Sequence, residues 1–306
     1  MSDAQAARPV PQAATVVLMR TAAGAACMGL RPDPCDVFLL RRHGQTGFMP
    51  GATVFPGGKV DVADAGIAVA GRSAAACAHV LQLNDNTVAT AVFVAAAREL
   101  HEEAHVLLAV DAAGRPATRD HAQALTAAID AHRQGHRLAA AVWHQELAAL
   151  GLTVDAAALV PTAHWLTPRA EPRRFDTWFF QAWLPAGQQA ELDPHESTDA
   201  RWMTPRAAVE AHVAGSDVLL PPPTFCTLQA LAEGAADPWL APEHCGPCLE
   251  PWFATDTQDG PVIALPWDPV HPDAGAFVAA YPALGPQRVD RFTLASGRFC
   301  RKQAPL

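Results

Sequence analysis

Residues 98–106 read Arg98-Glu99-Leu100-His101-Glu102-Glu103-Ala104-His105-Val106, and two chemistries compete for this stretch. On a helix, His101 and His105 are i and i+4 partners with Glu102 between them, the spacing with which two imidazoles chelate zinc. The same turn of helix also carries Glu99, Glu102 and Glu103 behind Arg98. At about 100° per residue and taking Glu99 as zero, Glu102 falls near 300° and Glu103 near 40°, so the carboxylates share one stripe. Phe93, Leu100, Ala104 and Leu107 fall between about 80° and 140°, which marks the core side, and the imidazoles fall near 200° and 240°. Imidazoles and carboxylates therefore occupy different flanks of one helix.

The zinc reading requires a third ligand. A continuation that supplies one would place Gly at 108 and His or Asp at 111, and the sequence has Leu108 and Asp111, a half match; a downstream carboxylate such as Glu146 is the alternative. The carboxylate reading draws support from further upstream. Ala52–Phe55 forms a short β-like run into Pro56-Gly57-Gly58, followed by Lys59-Val60-Asp61-Val62-Ala63-Asp64. Helix N-cap candidates lie at Asn84-Asp85-Asn86-Thr87, before a helical pattern over about 88–104.

Around this centre, 14–20 and 36–42 predict strands, as do 162–167, 176–184 and 199–203, while 205–213 opens with proline as a short helix. Residues 119–150 read as one or two packing helices, and beyond about 236 the chain is Pro-rich, with short strand-like pieces such as PVIALPW and RVDRFTL. The 306 residues are 50% hydrophobic and 17% charged, enough for one large core or two modest ones. A net charge of −9 gives no general attraction to nucleic acid or an anionic membrane, so an anionic ligand needs local arginines or a bridging cation. This points to a small-molecule site. Seven scattered cysteines, no signal-like N-terminus and no apolar run of about 18 residues predict a cytoplasmic protein. Cys245-Gly246-Pro247-Cys248 has the letters of a thiol redox motif, but the preceding AADPWLAPEH carries no strand pattern. It reads as a loop, with a redox or zinc role as the alternative.

The two halves together resemble the box of the Nudix hydrolases, usually G-x5-E-x7-R-E-U-x-E-E-x-G-U with U aliphatic, often preceded by F-P-G. Three departures stand out: Asp64 where Glu is usual, 33 residues (65–97) before Arg98 where seven are usual, and His105 where Gly is usual. The long gap, together with RRFDTWFFQAWLP (173–185) and ARWMTPRAAVEAH (200–212), is similar to the split-box subgroup that includes a mammalian peroxisomal coenzyme A diphosphatase. The resemblance implies an α+β Nudix fold, a mixed sheet sandwiched between helices (α/β/α). It implies a domain over about 12–235, with an insertion at about 65–90 and helical elaboration at about 119–150, and a Pro-rich extension over 236–306.

The implied activity is hydrolysis of a diphosphate bond in a nucleotide substrate, coenzyme A or acyl-coenzyme A first, with NADH, ADP-ribose or dinucleoside polyphosphates as alternatives. A diphosphate repels nucleophiles with its own charge, so hard Mg²⁺ or Mn²⁺ held by oxygen ligands is the expected cofactor. By the resemblance, Glu99, Glu102, Glu103 and the Gly58 carbonyl match metal ligands, and Arg98 the guanidinium that orients a carboxylate. Glu196, six residues before Trp202, matches the placement of a general base, with Glu171 as runner-up. Arg41, Arg42, Arg173 and Arg174 are candidates to contact substrate phosphate. His101 is expected to be a bystander, and His105 to end the helix in the left-handed conformation. Asp64 and His105 leave open a binding module that has lost catalysis. Neither nucleic-acid nor membrane partners are expected, and a homodimer is compatible with this reading.

Overall fold

The computed structural model describes residues 9–21, 35–43, 49–133, 139–194, 197–233, 245–255, 257–282, 286–295 and 297–304. Strands β1 (Gln12–Thr21) and β2 (Cys35–Arg42) are rich in Val, Leu and Phe and pair antiparallel. Two short pieces follow, β3 (Thr53–Val54) against β2 and β4 (Gly57–Lys59) against β1. A single turn of 3-10 helix, Val62–Asp64, is closed by a capping box between Asp61 and Asp64.

Strand β5 (Val69–Ala70) and helix α1 (Ala74–Leu81) lead to helix α2 (Asn86–Ala104). Asp85 caps α2 by accepting from the amides of Thr87 and Val88 at 2.8 and 3.1 Å. At the other end His105 is the C-cap with φ 55°, the left-handed conformation expected there. Strand β6 (Ala109–Val110) precedes α3 (Arg119–Asp130) and α4 (Ala140–Ala149), so the expected helical region 119–150 is two helices. Strands β7 (Thr153–Asp155), β8 (Val160–Leu166), β9 (Asp176–Trp183) and β10 (Ser197–Met203) and helices α5 (Pro205–Val213) and α6 (Pro222–Glu233) complete this part.

Among the described residues the main sheet runs β10-β2-β1-β9-β8-β11, where β11 is Cys248–Leu249, with β3 and β4 paired alongside. It is mixed: β1 and β9 run parallel, as do β8 and β11, and the other pairs are antiparallel. Strand alternation sends Ala14, Val16, Leu18, Phe38 and Leu40 to one core with α1–α4, and Val17, Met19, Val37 and Leu39 to a second with α5 and α6. Both faces are covered by helices, as the resemblance implied.

Helix α2 is the hub of the first core. Its Ala-rich run lets it approach β1 closely, and Phe93 meets Phe180 of β9 with ring centroids 4.9 Å apart. Beyond β11 the chain forms a second antiparallel sheet: β12 (Trp252–Ala254), β13 (Val262–Ala264), β14 (Val289–Ala295) and β15 (Arg298–Ala304), with helix α7 (Ala274–Ala280) between β13 and β14. Leu265, Trp267 and Phe292 of this region share the second core with Phe225 and Leu228 of α6. Part of the Pro-rich stretch is thus packed against the main body.

Candidate active site

Arg98 organises the site from the buried end of α2. Its Nε and Nη2 donate to Asp64 Oδ1 and Oδ2 at 2.9 and 3.0 Å, a bidentate pair. Nη2 also donates to the Lys59 carbonyl at 2.9 Å, and Nη1 to Glu99 at 2.8 Å and Glu102 at 3.2 Å. Burial opposes charge on this guanidinium, but Glu99, Asp64 and Glu102 hold its pKa above the ordinary value. Asp64 is fully buried and receives further hydrogen bonds from the Asp61 amide and from His144 of α4, both at 2.8 Å. Burial alone would raise its pKa; the bonds from His144 and Arg98 outweigh it and bring the carboxyl below its usual range.

Asp64 therefore performs a structural task across a gap of 33 residues (65–97), fastening the guanidinium that in turn orients Glu99 and Glu102. His144 supports it, and sequence reasoning missed that residue. The available signal was Trp143-His144, two large polar-tipped side chains in an otherwise Ala-rich helix.

The glutamates meet the loop before β4 and β4 itself at close quarters. Glu103 accepts from the Gly57 amide at 2.9 Å. A Cβ on Gly58 would lie 2.4 Å from Glu99 Oε2, so only glycine lets that carboxylate come so near the backbone. A Cβ on Gly57 would meet the Ala14 carbonyl at 2.4 Å. Glu99 and Glu103 against the Gly57–Gly58 backbone, with Glu102 held to Arg98 alongside, offer hard oxygen donors, a chemistry that fits a divalent cation of the Mg²⁺ or Mn²⁺ type.

The imidazole flank is different in kind. His101 is fully buried, and both ring nitrogens are used: Trp143 Nε1 donates to Nδ1 at 3.1 Å, while Nε2 faces the Ala122 carbonyl and Thr126 Oγ1, each at 3.2 Å. Burial pushes its pKa down to about 4, so it is a neutral core residue, and with both ring nitrogens hydrogen-bonded inside the core it is not available to join His105 around zinc. His101 is thus more than a bystander: it is a hydrogen-bonding post between α2, α3 and α4. His105 Nε2 lies 3.7 Å from Asp193.

Gly57, Gly58 and Lys59 form part of the wall of a cavity of about 610 Å³. Its other walls are Trp165, Phe175 and Phe179 from the sheet side, Pro221–Thr224 at the start of α6, and Pro251, Ile263 and Phe299 from the C-terminal region. Arg42, Lys59 and Arg173 supply positive charge and Glu171 an acid. The Arg42 Nε is buried without a hydrogen-bond partner among the described residues, a donor suited to an anionic ligand.

The four arginine candidates separate. Arg42 and Arg173 line the cavity, Arg41 faces Asp217 at 3.7 Å, and Arg174 is spent on Glu250 at 2.6 Å and the Thr167 carbonyl at 2.9 Å. Of the base candidates, Glu171 lines the cavity and Glu196 lies outside the described residues.

Comparison with known proteins agrees with this geometry. A family profile described as the NUDT19 Nudix domain matches residues 72–231. The human acyl-coenzyme A diphosphatase NUDT19 is 30% identical over 81% of this chain and 76% of its own length. The Xenopus laevis protein of that name is 27% identical over 78% and 72%. Among solved structures, a Nudix hydrolase from Alicyclobacillus acidocaldarius superposes with a TM-score of 0.55 at 26% identity, covering 78% of this chain and 99% of that one. The chain, with its split box closed by Asp64 and Arg98, belongs to the NUDT19 family of Nudix hydrolases.

Proposed function

We propose that this Nudix diphosphatase cleaves the diphosphate of coenzyme A or acyl-coenzyme A, with Mg²⁺ or Mn²⁺ held by Glu99, Glu102, Glu103 and the Gly58 carbonyl. The observation that carries this reading is that Glu103 and Glu99 lie against Gly57 and Gly58, which line a large cavity with aromatic and basic walls, while Arg98 ties Glu102 to Glu99. When bound, the cation would neutralise phosphoryl oxygens and lower the pKa of an attacking water.

The chain's own residues divide the remaining work. Arg98 holds Glu99 and Glu102 in place through hydrogen bonds, so their orientation costs nothing at the moment of reaction. Arg42 and Arg173 are positioned on the cavity wall to receive phosphate charge, which the chain's net −9 makes necessary. Trp165, Phe175 and Phe179 offer flat apolar surface for an adenine ring or the pantetheine arm. Glu171, on the same wall, is the candidate to take the proton of the attacking water, and Glu196 remains the alternative. A cytoplasmic setting belongs to the same proposal and is supported by the scattered cysteines; among the described residues no helix is long and apolar enough to cross a membrane.

The reading of Asp64 and His105 as signs of lost catalysis has little to support it, since Asp64 anchors Arg98 and His105 caps the helix. The test is a panel of nucleoside diphosphate-linked substrates with products identified by mass spectrometry. Coenzyme A should yield 3′,5′-ADP and 4′-phosphopantetheine, and Arg42→Ala with Arg173→Ala should raise KM more than it lowers kcat. Faster cleavage of NADH, ADP-ribose or a dinucleoside polyphosphate than of any coenzyme A species would reassign the substrate.

A further inference from the structure

We propose that His164, Asp176 and Cys248 form a zinc site that fastens the C-terminal region to the edge of the main sheet. The three residues come from adjacent strands: Cys248 of β11 pairs in register with His164 of β8, which pairs with Trp178 of β9, two residues beyond Asp176. Alternation along the strands therefore turns Cys248, His164 and Asp176 to one face. Their donor atoms all lie within 4.8 Å of one another. Ligand atoms around a tetrahedral zinc ion, about 2.0–2.3 Å from the metal, are separated by about 3.3–3.8 Å. The three donor atoms thus lie near the spacing that a bound ion would impose.

Donor chemistry selects the ion. Thiolate with imidazole and one carboxylate is a borderline-soft set that suits zinc and disfavours Mg²⁺ or Ca²⁺. Binding releases the Cys248 Sγ proton to solvent, and the thiolate and carboxylate then balance the two positive charges, with water as fourth ligand. His164 is already oriented, because its ring stacks on Trp178 at 3.6 Å between centroids with 12° between planes. Its Nε2 also meets Asp176 Oδ1.

This site is separate from the glutamates of α2. The cavity is lined here by Trp165, Leu166, Thr167, Thr177 and Phe179, and neither His164 nor Asp176 is part of its wall. The two cysteines of the CGPC stretch also part company. Cys245 is buried in the first core, where its amide donates to the Val80 carbonyl and its carbonyl accepts from Gln82 Nε2, both at 2.7 Å. Cys248 is exposed and joins the cluster. The two-residue strand β11 stands directly before Pro251, Ile263 and Phe299, which complete the cavity wall. A metal at Cys248 would hold that wall against the sheet.

The test is zinc binding measured by equilibrium dialysis and elemental analysis under reducing conditions. It uses the full chain carrying Glu102→Gln and Glu103→Gln, so that the glutamates of α2 do not compete. One equivalent should bind, zinc should raise Tm, and Co²⁺ in its place should show a thiolate-to-metal charge-transfer band. Adding Cys248→Ser should weaken binding at least about tenfold and abolish the band, and His164→Ala should weaken it similarly. Circular dichroism checks that each variant is folded, which exposed Cys248 makes straightforward. Absence of a bound equivalent, or binding that survives either substitution, would overturn the site and leave an ordinary His164–Asp176 hydrogen bond.

Discussion

Two networks of buried charge lie in different parts of this molecule and are organised in opposite ways. In the first, one guanidinium, Arg98, serves Asp64, Glu99, Glu102 and the Lys59 carbonyl. In the second, buried carboxylates are the hubs: Asp290 takes Arg301 at 2.8 and 2.8 Å and lies 3.8 Å from Arg288, and Asp268 takes Arg291 in a bidentate pair at 2.9 and 2.7 Å, the same Arg291 also reaching Asp259 at 3.3 Å. The Trp267 indole and the Gln303 amide also donate to Asp290, at 2.9 and 3.1 Å. Burial does not separate them, because Asp64, Asp268 and Asp290 are all fully buried. The first network adjoins a side-chain-free glycine pair at a cavity, while the second is closed around Trp267 and Phe292. Buried charge alone therefore does not distinguish the two networks; the glycine pair and the open cavity beside the first do.

The sharpest way to break this comparison is to remove the central arginine from each network. Arg98→Met and Arg291→Met should each cost about 3–5 kcal/mol, because one strands buried Asp64 and the other buried Asp268. Urea unfolding reads that loss. Only Arg98→Met should also lower kcat per folded molecule; an equal loss of kcat in Arg291→Met would show that the second network is not purely structural.

A second experiment sharpens the contrast between the flanks of α2. The folded-state pKa of His101 is depressed to about 4 from an ordinary 6.5, so its stability contribution is complete above pH 6.5 and is lost as pH falls toward 4. The decline attributable to it should reach about 3 kcal/mol, and His101→Gln should flatten it. An unchanged slope between pH 6.5 and 4 in that variant would contradict the buried neutral imidazole.

The smallest expected effect concerns the glycine floor. Gly58→Ala places a methyl against the flexible carboxylate end of Glu99, which can swing aside, so it should cost at most about 1 kcal/mol in stability while lowering kcat as Glu99 is displaced. Wild-type turnover in Gly58→Ala would mean that Glu99 can move without consequence.

Much of this was written in the sequence, for reasons that differ by element. The strands β1, β2, β8, β9 and β10 and helix α5 follow from β-rich composition, turn signals and capping, and the glutamate stripe from helix geometry alone. The burial of His101 was also available, since NTVATAVFVAAA is apolar on nearly every face and such a helix is buried all round. Alternation along β2 likewise separates Arg41 from Arg42, though the two read alike as neighbours in the chain.

Other features have no local signature. The pairing of Asp64 with Arg98 and His144 is a tertiary fact, invisible across the intervening residues. The C-terminal sheet begins with strands of three residues amid prolines, too short for a period to register.

The central claim is that the carboxylate flank of α2, and not its imidazole flank, does the chemistry. Steady-state coenzyme A hydrolysis with Mg²⁺ at about pH 8, measured side by side for wild type, Glu103→Gln and His101→Gln, tests it most directly. Glu103→Gln should lose at least about a hundredfold in kcat while remaining folded, and His101→Gln should keep most of its turnover. Retained activity in Glu103→Gln with loss in His101→Gln would place the chemistry on the wrong side of the helix and contradict the account.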